Sequence, residues 1–179
     1  MKKLICLIFM LLIFISVTAC VPETVIPVNT IKSNQSGLTL EFPLEWSTMN
    51  HYDYSTIEMC FMEKDYYVMV SEIPVSYFDE DLSMVDLINL IKDGLIAETG
   101  EIVGEPSYVK NEILQGVVAQ EIEMAAVFDE LGGLYIKYYI VCFKYNDIFY
   151  QIYCWSTNLM YDEGKIVFDK IINSISFSE

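Results

Sequence analysis

Arginine is missing from this 179-residue sequence, and all 10 of its basic residues are lysine, against 26 Asp and Glu. Nucleic-acid recognition needs a basic surface, on which arginine usually supplies two-pronged contacts. Anionic lipid headgroups likewise attract basic segments and repel acidic ones. We therefore expect no binding to nucleic acid and no electrostatic docking on a membrane. The formal charge of −16 favours cationic partners or ions instead.

Groups that carry out catalysis are also scarce. His51 is the only imidazole, no Gly-x-Ser-x-Gly stretch is present, and Gly132-Gly133 lies in a predicted hairpin and opens no helix. His51 stands in the polar and aromatic run 51–54, which is typical of a surface loop. We predict a protein that is not an enzyme. A metal-assisted hydrolase that uses His51 and the acidic run Asp79-Glu80-Asp81 is the less favoured alternative.

Cysteine pairs of the Cys-x-x-Cys type are absent, so the five cysteines lack metal-ligand spacing. Beyond the first twenty residues Cys60, Cys142 and Cys154 remain, an odd number that allows at most one disulfide. The hairpin register that a turn at Asn146-Asp147 predicts points Cys142 and Cys154 to opposite faces of a sheet. We therefore predict three buried free thiols that behave as small hydrophobic groups. No cofactor or metal is expected.

The first twenty residues have the pattern of an export signal. Two lysines precede an apolar run over 4–15, which is too short for a membrane-spanning helix. The segment Val17-Thr18-Ala19-Cys20 resembles the bacterial lipobox, with valine in place of the leucine that is usual at the first position. In proteins with a lipobox the cysteine receives a diacylglyceryl group and becomes the mature N-terminus. The resemblance implies a lipoprotein signal peptide over 1–19 and a lipidated Cys20.

Lipidation of Cys20 would hold the chain at the extracytoplasmic face of the cell membrane. Each buried methylene contributes about 0.8 kcal/mol, and two acyl chains hold a protein where one would release it. Cleavage would remove two lysines and no acid, so the charge of −16 becomes −18 and the lipid is the expected sole anchor. Residues 20–36 are predicted to form a tether and 37–179 the folded domain. An ordinary signal peptide with an incidental cysteine and an uncleaved anchor are the alternatives.

Alternating and apolar runs predict a sheet with two helices. Ser83, with Asp86 three residues later, fits a variant of the capping box at the start of a helix that Gly100 ends. A second helix is predicted over 159–173. The predicted strands cover 38–42, 57–62, 66–73, 107–114, 117–128, 134–145 and 148–155.

The last two predicted strands flank Asn146-Asp147, a two-residue turn signal that fixes their register. This register places Cys142 opposite Gln151 and Cys154 opposite Tyr139. Because successive residues of a strand face opposite sides, the two thiols point to opposite faces. Both strands are apolar on both faces, so both faces must be covered. Together with the helices, this predicts an α+β sandwich with a mainly antiparallel sheet.

Two short motifs resemble the PsbP-like domain. Leu40-Glu41-Phe42-Pro43-Leu44-Glu45-Trp46 is similar to the strand–Pro–x–x–Trp opening of that family, and the segment 168–177 resembles its last helix and Ser-x-x-Phe finish. The order of hairpin, long helix, four-strand meander and final helix also matches, over about 37–179. The resemblance implies a three-layer α/β/α sandwich and a shared theme of binding other macromolecules. It carries over no functional residue, because both motifs are structural.

The predicted function is that of a membrane-anchored, non-catalytic binding or accessory module for another envelope protein. Aromatic residues at hairpin or loop positions, namely Tyr52, Tyr54, Tyr66-Tyr67 and Tyr77-Phe78, would suit an interface if exposed, although ordinary core is the favoured interpretation. A solute- or cation-binding lipoprotein is the second hypothesis. There, Asp79-Glu80-Asp81 would hold a hard cation such as Ca²⁺, although three acids before a helix are more often solvated charge that complements its dipole.

Overall fold

The fold consists of antiparallel sheets and two helices in the part of the chain that the computed structural model describes, residues 27–49, 54–78, 82–114, 116–128 and 132–178. Short 3-10 turns lie at Met62–Lys64 and Val75–Tyr77. In chain order the elements are β1 (Val28–Lys32), β2 (Leu38–Pro43), β3 (Ser47–Thr48), β4 (Ile57–Phe61), β5 (Tyr66–Pro74), α1 (Met84–Thr99), β6 (Gly100–Leu114), β7 (Val117–Phe128), β8 (Leu134–Tyr145), β9 (Ile148–Thr157), α2 (Tyr161–Asn173) and β10 (Ser176–Phe177).

Seven strands form one sheet in the order β3-β4-β5-β9-β8-β7-β6, with every pairing antiparallel. The β8–β9 hairpin turns at Asn146-Asp147, whose φ angles of 49° and 57° lie in the left-handed region. Asn and Asp tolerate this conformation better than other side chains do. The predicted register is confirmed, because Cys142 pairs with Gln151 and Tyr139 with Cys154.

The two helices pack against opposite faces of this large sheet. α1 covers the face that carries Cys142, and α2 covers the face that carries Cys154. The mainly antiparallel α+β fold predicted from the sequence is therefore confirmed. Among the described residues, no helix is both long and apolar enough to cross a membrane. The buried stripe of α1 consists of Leu87, Ile88, Ile91 and Leu95, and that of α2 of Phe168, Ile171 and Ile172.

The predicted cap at the start of α1 is confirmed. The backbone N–H of Asp86 donates a hydrogen bond to Ser83 Oγ at 3.2 Å, and the backbone N–H of Ser83 donates one to Asp86 Oδ2 at 3.1 Å. Each side chain thereby satisfies a backbone donor at the helix start. The hydrogen bonds from the hydroxyl and backbone of Ser83 also lower the pKa of the exposed Asp86 carboxyl.

The predicted tether over 20–36 needs correction at residues 28–32. This stretch forms β1, which pairs with β2 from Val28 opposite Pro43 to Lys32 opposite Thr39. β10 pairs with the other edge of β2, which gives a second sheet of three strands. The side chains of β1 are mostly exposed. Exposed side chains need not be apolar, so the stretch lacks the periodicity that predicts a strand. Backbone hydrogen bonds to β2 hold it in the sheet.

β6 begins earlier than predicted, at Gly100 directly after α1. Pro106 directly precedes the predicted start of this strand at 107, and proline cannot donate a hydrogen bond to a neighbouring strand. A shift in register between Val103 and Ser107, beside Gly104 with its φ of 78°, takes up this interruption. The proline therefore lies inside an irregularity of one long strand.

Both motifs that resemble the PsbP-like domain supply core residues on the α2 side. Phe42 is fully buried and Trp46 nearly so, and their ring centroids are 5.5 Å apart. Phe168 meets the ring of Tyr66 edge-on, with the centroids 5.7 Å apart. These contacts help to hold the small sheet and α2 against the large sheet, which agrees with the structural role expected of the motifs.

Candidate binding cavity

A cavity of about 870 Å³ lies beside α1. The helix packs mainly over β6, β7 and β8, whereas the same face of β9 and β5 extends past it. Tyr77, at the end of the 3-10 turn Val75–Tyr77, and the following Phe78 also line the space. The cavity therefore results from the placement of the helix over one end of the sheet. Its volume lies within the range of roughly 300–1,000 Å³ that is usual for small-molecule sites.

Aromatic rings make up much of the cavity wall. Tyr138 and Trp155 line it from neighbouring strands, with their ring centroids 6.2 Å apart. Tyr67 stacks on Trp155 with 5.4 Å between the centroids. Phe78 meets Phe149 edge-on at 5.8 Å. These ring contacts support the wall from several strands, so the apolar surface is built into the fold.

Ser71 and Gln151 form a polar floor between β5 and β9. They pair directly across the two strands, and each is only 6% exposed. The hydroxyl of Tyr153 donates a hydrogen bond to Oε1 of Gln151 at 2.6 Å, which fixes the orientation of the amide. A few neutral polar groups in an apolar cavity orient a bound molecule through hydrogen bonds.

Glu72 lies where β5 loses one of its neighbours. The pairing of β4 with β5 ends at Ile57 and Val70, so among the described strands β5 is paired beyond Val70 with β9 alone. Glu72 follows Ser71 and faces the opposite side of the strand, and both line the cavity, which therefore reaches round this edge.

The carboxylate of Glu72 is only half satisfied by the described residues. Its side chain is 7% exposed, and Oε1 accepts a hydrogen bond from Thr56 Oγ1 at 3.0 Å. Oε2 is also buried, and no donor in the described part of the chain reaches it. A buried polar atom without a partner costs about 1–3 kcal/mol, and more if it is charged. A ligand donor would remove that cost, so Glu72 is the clearest candidate for a binding group in the cavity.

Three exposed apolar side chains surround the cavity and also line it: Tyr77 at 82% exposure, Tyr54 at 58% and Leu90 at 51%. We call them the apolar rim. Of the loop aromatics that the sequence leaves open between core and interface, Tyr54 and Tyr77 are exposed. Tyr66 is 2% exposed in the core, and Phe78 is partly buried against the core beneath α1.

The structure does not test the residues predicted to carry chemistry. Cys20, His51 and Asp79-Glu80-Asp81 are outside the described residues, so the lipid anchor and the cation site stay predictions. Within the described ranges no group of three His, Cys, Asp or Glu side chains could hold a metal ion. Sequence reasoning missed Glu72. Its local signal is the polar pair Ser71-Glu72, which interrupts an otherwise apolar strand.

The cysteines of the fold are free and buried, as predicted. Burial raises the pKa of the Cys142 thiol to about 12, and it raises the pKa of Cys154 and of Cys60 as well. Because the thiolate is the form that attacks electrophiles and binds metals, a buried protonated thiol is inert. These three side chains therefore act as small hydrophobic groups.

Sequence comparisons find no relative: no protein-family model matches the chain, and no curated protein matches it. Solved structures do match. Cyanobacterial PsbP (CyanoP) from Synechocystis sp. PCC 6803 has a TM-score of 0.62 at 11% identity, over 90% of this chain and 99% of that one. The Ran-binding protein Mog1p of Saccharomyces cerevisiae has a TM-score of 0.57 at 7% identity, over 85% and 96%.

A third similar structure is LpqN, which is involved in cell envelope biogenesis of Mycobacterium tuberculosis. Its TM-score is 0.56 at 10% identity, over 86% of this chain and 91% of that one. Identities of this size show the fold alone. The chain therefore has a PsbP- and Mog1-like α+β fold.

Proposed function

We propose that this chain is an extracytoplasmic lipoprotein, held at the cell membrane by a lipid on Cys20, that serves as a non-catalytic binding or accessory module for another envelope protein. The signal peptide over 1–19 would be removed on export, and residues 20–27 would connect the lipid to the fold. We further infer that the whole domain is a three-layer α/β/α sandwich, with α1 and α2 on opposite faces of the large sheet.

The apolar rim of Tyr54, Tyr77 and Leu90 is the observation that carries the proposal. Single exposed apolar side chains are ordinary on protein surfaces. These three, however, surround one concave, largely apolar cavity. Tyrosine is enriched in protein interfaces because it buries a large amphipathic surface at a small cost in conformational entropy. A rim around a cavity is the arrangement that receives an anchoring side chain from a partner.

The acidity of the chain supports a partner with a basic surface. Loss of the two signal-peptide lysines takes the formal charge of −16 to −18. Opposite charges on two proteins speed their encounter and suppress binding to wrong partners, and the effect weakens with salt. Association with the partner should therefore slow as the ionic strength rises.

The names of two of the similar structures are consistent with this proposal. One is a Ran-binding protein, and the other is involved in cell envelope biogenesis. At identities of 7% and 10% they carry no binding residue over to this chain. They support the kind of role, and the partner has to be found experimentally.

Recovery of the lipidated protein from its native membrane tests the proposal. We expect one envelope protein to co-purify in stoichiometric amount, and the double variant Tyr77→Ser, Leu90→Ser to lose it. Leu159→Ser is the matched control, because Leu159 is 92% exposed but does not line the cavity. Recovery of no partner, or equal loss in the control, would contradict the proposal.

A solute-binding lipoprotein is the second candidate, and the volume of the cavity favours it. Calorimetric titration that finds tight binding of a solute or of Ca²⁺, with no partner recovered, would favour this candidate over the first. A hydrolase that uses His51 and Asp79-Glu80-Asp81 is the third, and loss of an activity in His51→Ala would support it. No described contact favours the hydrolase.

A further inference from the structure

We infer that the cavity beside α1 binds a small amphiphilic amine, with its apolar body against the aromatic wall and its ammonium group paired with Glu72. The inference assigns a ligand class to the cavity. It goes beyond the proposed accessory role, which requires the rim and the anchor but no bound small molecule.

The carboxylate of Glu72 supplies the first argument. Oε1 is engaged by Thr56, whereas Oε2 is buried with no donor among the described residues. An ammonium group provides both a donor and a compensating positive charge, and charge-assisted hydrogen bonds are stronger than neutral ones. Glu72 lines the cavity where it passes round the edge of β5, which places the bound head group at this edge.

The charges around the cavity indicate that the head group of the ligand is positively charged. None of the described lining residues is basic, so an anion would meet Glu72 without a counter-charge. The formal charge of −16 raises the local concentration of cations near the surface. A cationic head is favoured on both counts.

The rest of the cavity selects an apolar body. Met69, Ile73 and Leu87 line it together with the aromatic wall, and Ser71 and Gln151 give it a neutral polar floor. Such a surface gains from burying hydrocarbon or an aromatic ring. A simple cation without an apolar part would leave most of the cavity unused. The ligand therefore carries a hydrophobic part of several carbons or a ring.

The assignment can be tested with four probes on the full lipidated protein in phosphatidylcholine nanodiscs. 4-Phenylbutylamine has both the ammonium group and the ring. 4-Phenylbutyrate reverses the charge, 4-phenylbutanol removes it, and butylamine lacks the ring. Saturation-transfer NMR and tryptophan fluorescence, to which Trp46 and Trp155 both contribute, report binding. Nanodiscs without protein give the background from partition into lipid. We expect 4-phenylbutylamine to bind at least tenfold more tightly than each of the other three. Equal affinity for the amine and the butyrate, or no binding of any probe, would overturn the inference.

Two variants on separate elements, Glu72→Gln on β5 and Gly94→Phe on α1, locate the site, and a third variant is the control. Glu72→Gln should weaken binding of 4-phenylbutylamine at least tenfold and abolish its advantage over the alcohol. Glu41→Gln, an exposed carboxylate on β2 outside the cavity, should leave binding unchanged. Gly94→Phe fills open space on the cavity side of α1 and should weaken the binding of 4-phenylbutylamine and of 4-phenylbutanol to the same extent. Unchanged binding of 4-phenylbutylamine in either folded variant overturns the inference. If Glu72→Gln fails to fold, Gly94→Phe alone still shows whether the amine binds in this cavity.

The partner-recovery assay separates this inference from the proposed function. Glu72→Gln should still recover the envelope partner from membranes, because the apolar rim is intact. Failure of the amine to bind, together with normal partner recovery, removes the ligand assignment and leaves the accessory role standing.

Discussion

Cys142 and Cys154 lie on opposite faces of the large sheet, Cys142 in the core beneath α1 and Cys154 in the core beneath α2. The sheet separates the two thiols, so no disulfide can join them. For the protein processed as proposed, without Cys6 and with Cys20 lipidated, we predict that Ellman's reagent at pH 8 modifies none of Cys60, Cys142 and Cys154 in the native state and all three after denaturation. Reducing agent should leave the thermal midpoint unchanged. Rapid modification of the native protein, or a midpoint that falls on reduction, would count against this account.

Burial of ionisable groups should make stability fall at alkaline pH. Burial raises the pKa of Cys142 from 9.0 to about 12, and it raises the pKa of Tyr139 and Tyr161 as well. The folded chain holds these protons more tightly than the unfolded chain does. The stabilisation is therefore complete below about pH 9 and is lost progressively between pH 9 and 12.

Urea midpoints measured from pH 8 to pH 11 check this dependence. They should fall steadily above pH 9, and they should fall less steeply in Cys142→Ala, which removes one of the groups. A urea midpoint that is constant or rises across this range would show that burial of these ionisable groups does not control the stability at alkaline pH.

Gly164 and Gly94 should respond in opposite ways to alanine. A Cβ on Gly164 would lie 2.9 Å from Cε1 of Tyr66, whereas a Cβ on Gly94 has nothing within 4 Å. Crowding in a packed core costs about 1–3 kcal/mol. This exceeds the roughly 1 kcal/mol that alanine gains over glycine in a helix. Gly164→Ala should therefore lower the free energy of unfolding, and Gly94→Ala should raise it by about 0.5–1 kcal/mol.

Urea denaturation of both glycine variants measures the two effects, and each variant is the control for the other. Shifts in the same direction would mean that α2 does not pack on Tyr66 as closely as described.

The proposed lipid anchor on Cys20 can be tested separately from the fold. Cys20→Ala should move the protein from the membrane fraction to the soluble fraction of the extracytoplasmic compartment, because the acidic chain has no electrostatic means of holding a membrane. Incorporation of a labelled fatty acid should disappear with the same substitution. A Cys20→Ala protein that stays as firmly bound as the unchanged protein would rule out lipidation as the anchor.

Local patterns in the sequence predict the centre of this fold well. Asn146-Asp147 fixes the β8–β9 register because a two-residue turn leaves the strands one way to pair. Ser83 and Asp86 likewise mark the start of α1 within a few residues. Both features depend on neighbours in the chain, so the sequence displays them directly.

Features made by distant parts of the chain could not be predicted. The sequence pattern does not reveal β1, because its side chains are mostly exposed and backbone hydrogen bonds to β2 hold it in the sheet. The cavity arises from the position of α1 over β6, β7 and β8, which no local pattern records. Glu72 is a site candidate because β4 ends opposite Val70 and Thr56 satisfies one oxygen alone.

Photo-crosslinking in the native membrane tests the central claim most directly. p-Benzoylphenylalanine is placed at Tyr77 on the apolar rim and, as a control, at Leu159, which is exposed away from the cavity. We predict that position 77 crosslinks to one envelope protein and that position 159 does not. Absence of any crosslink from position 77, or the same products from both positions, would contradict the claim that this face binds a partner.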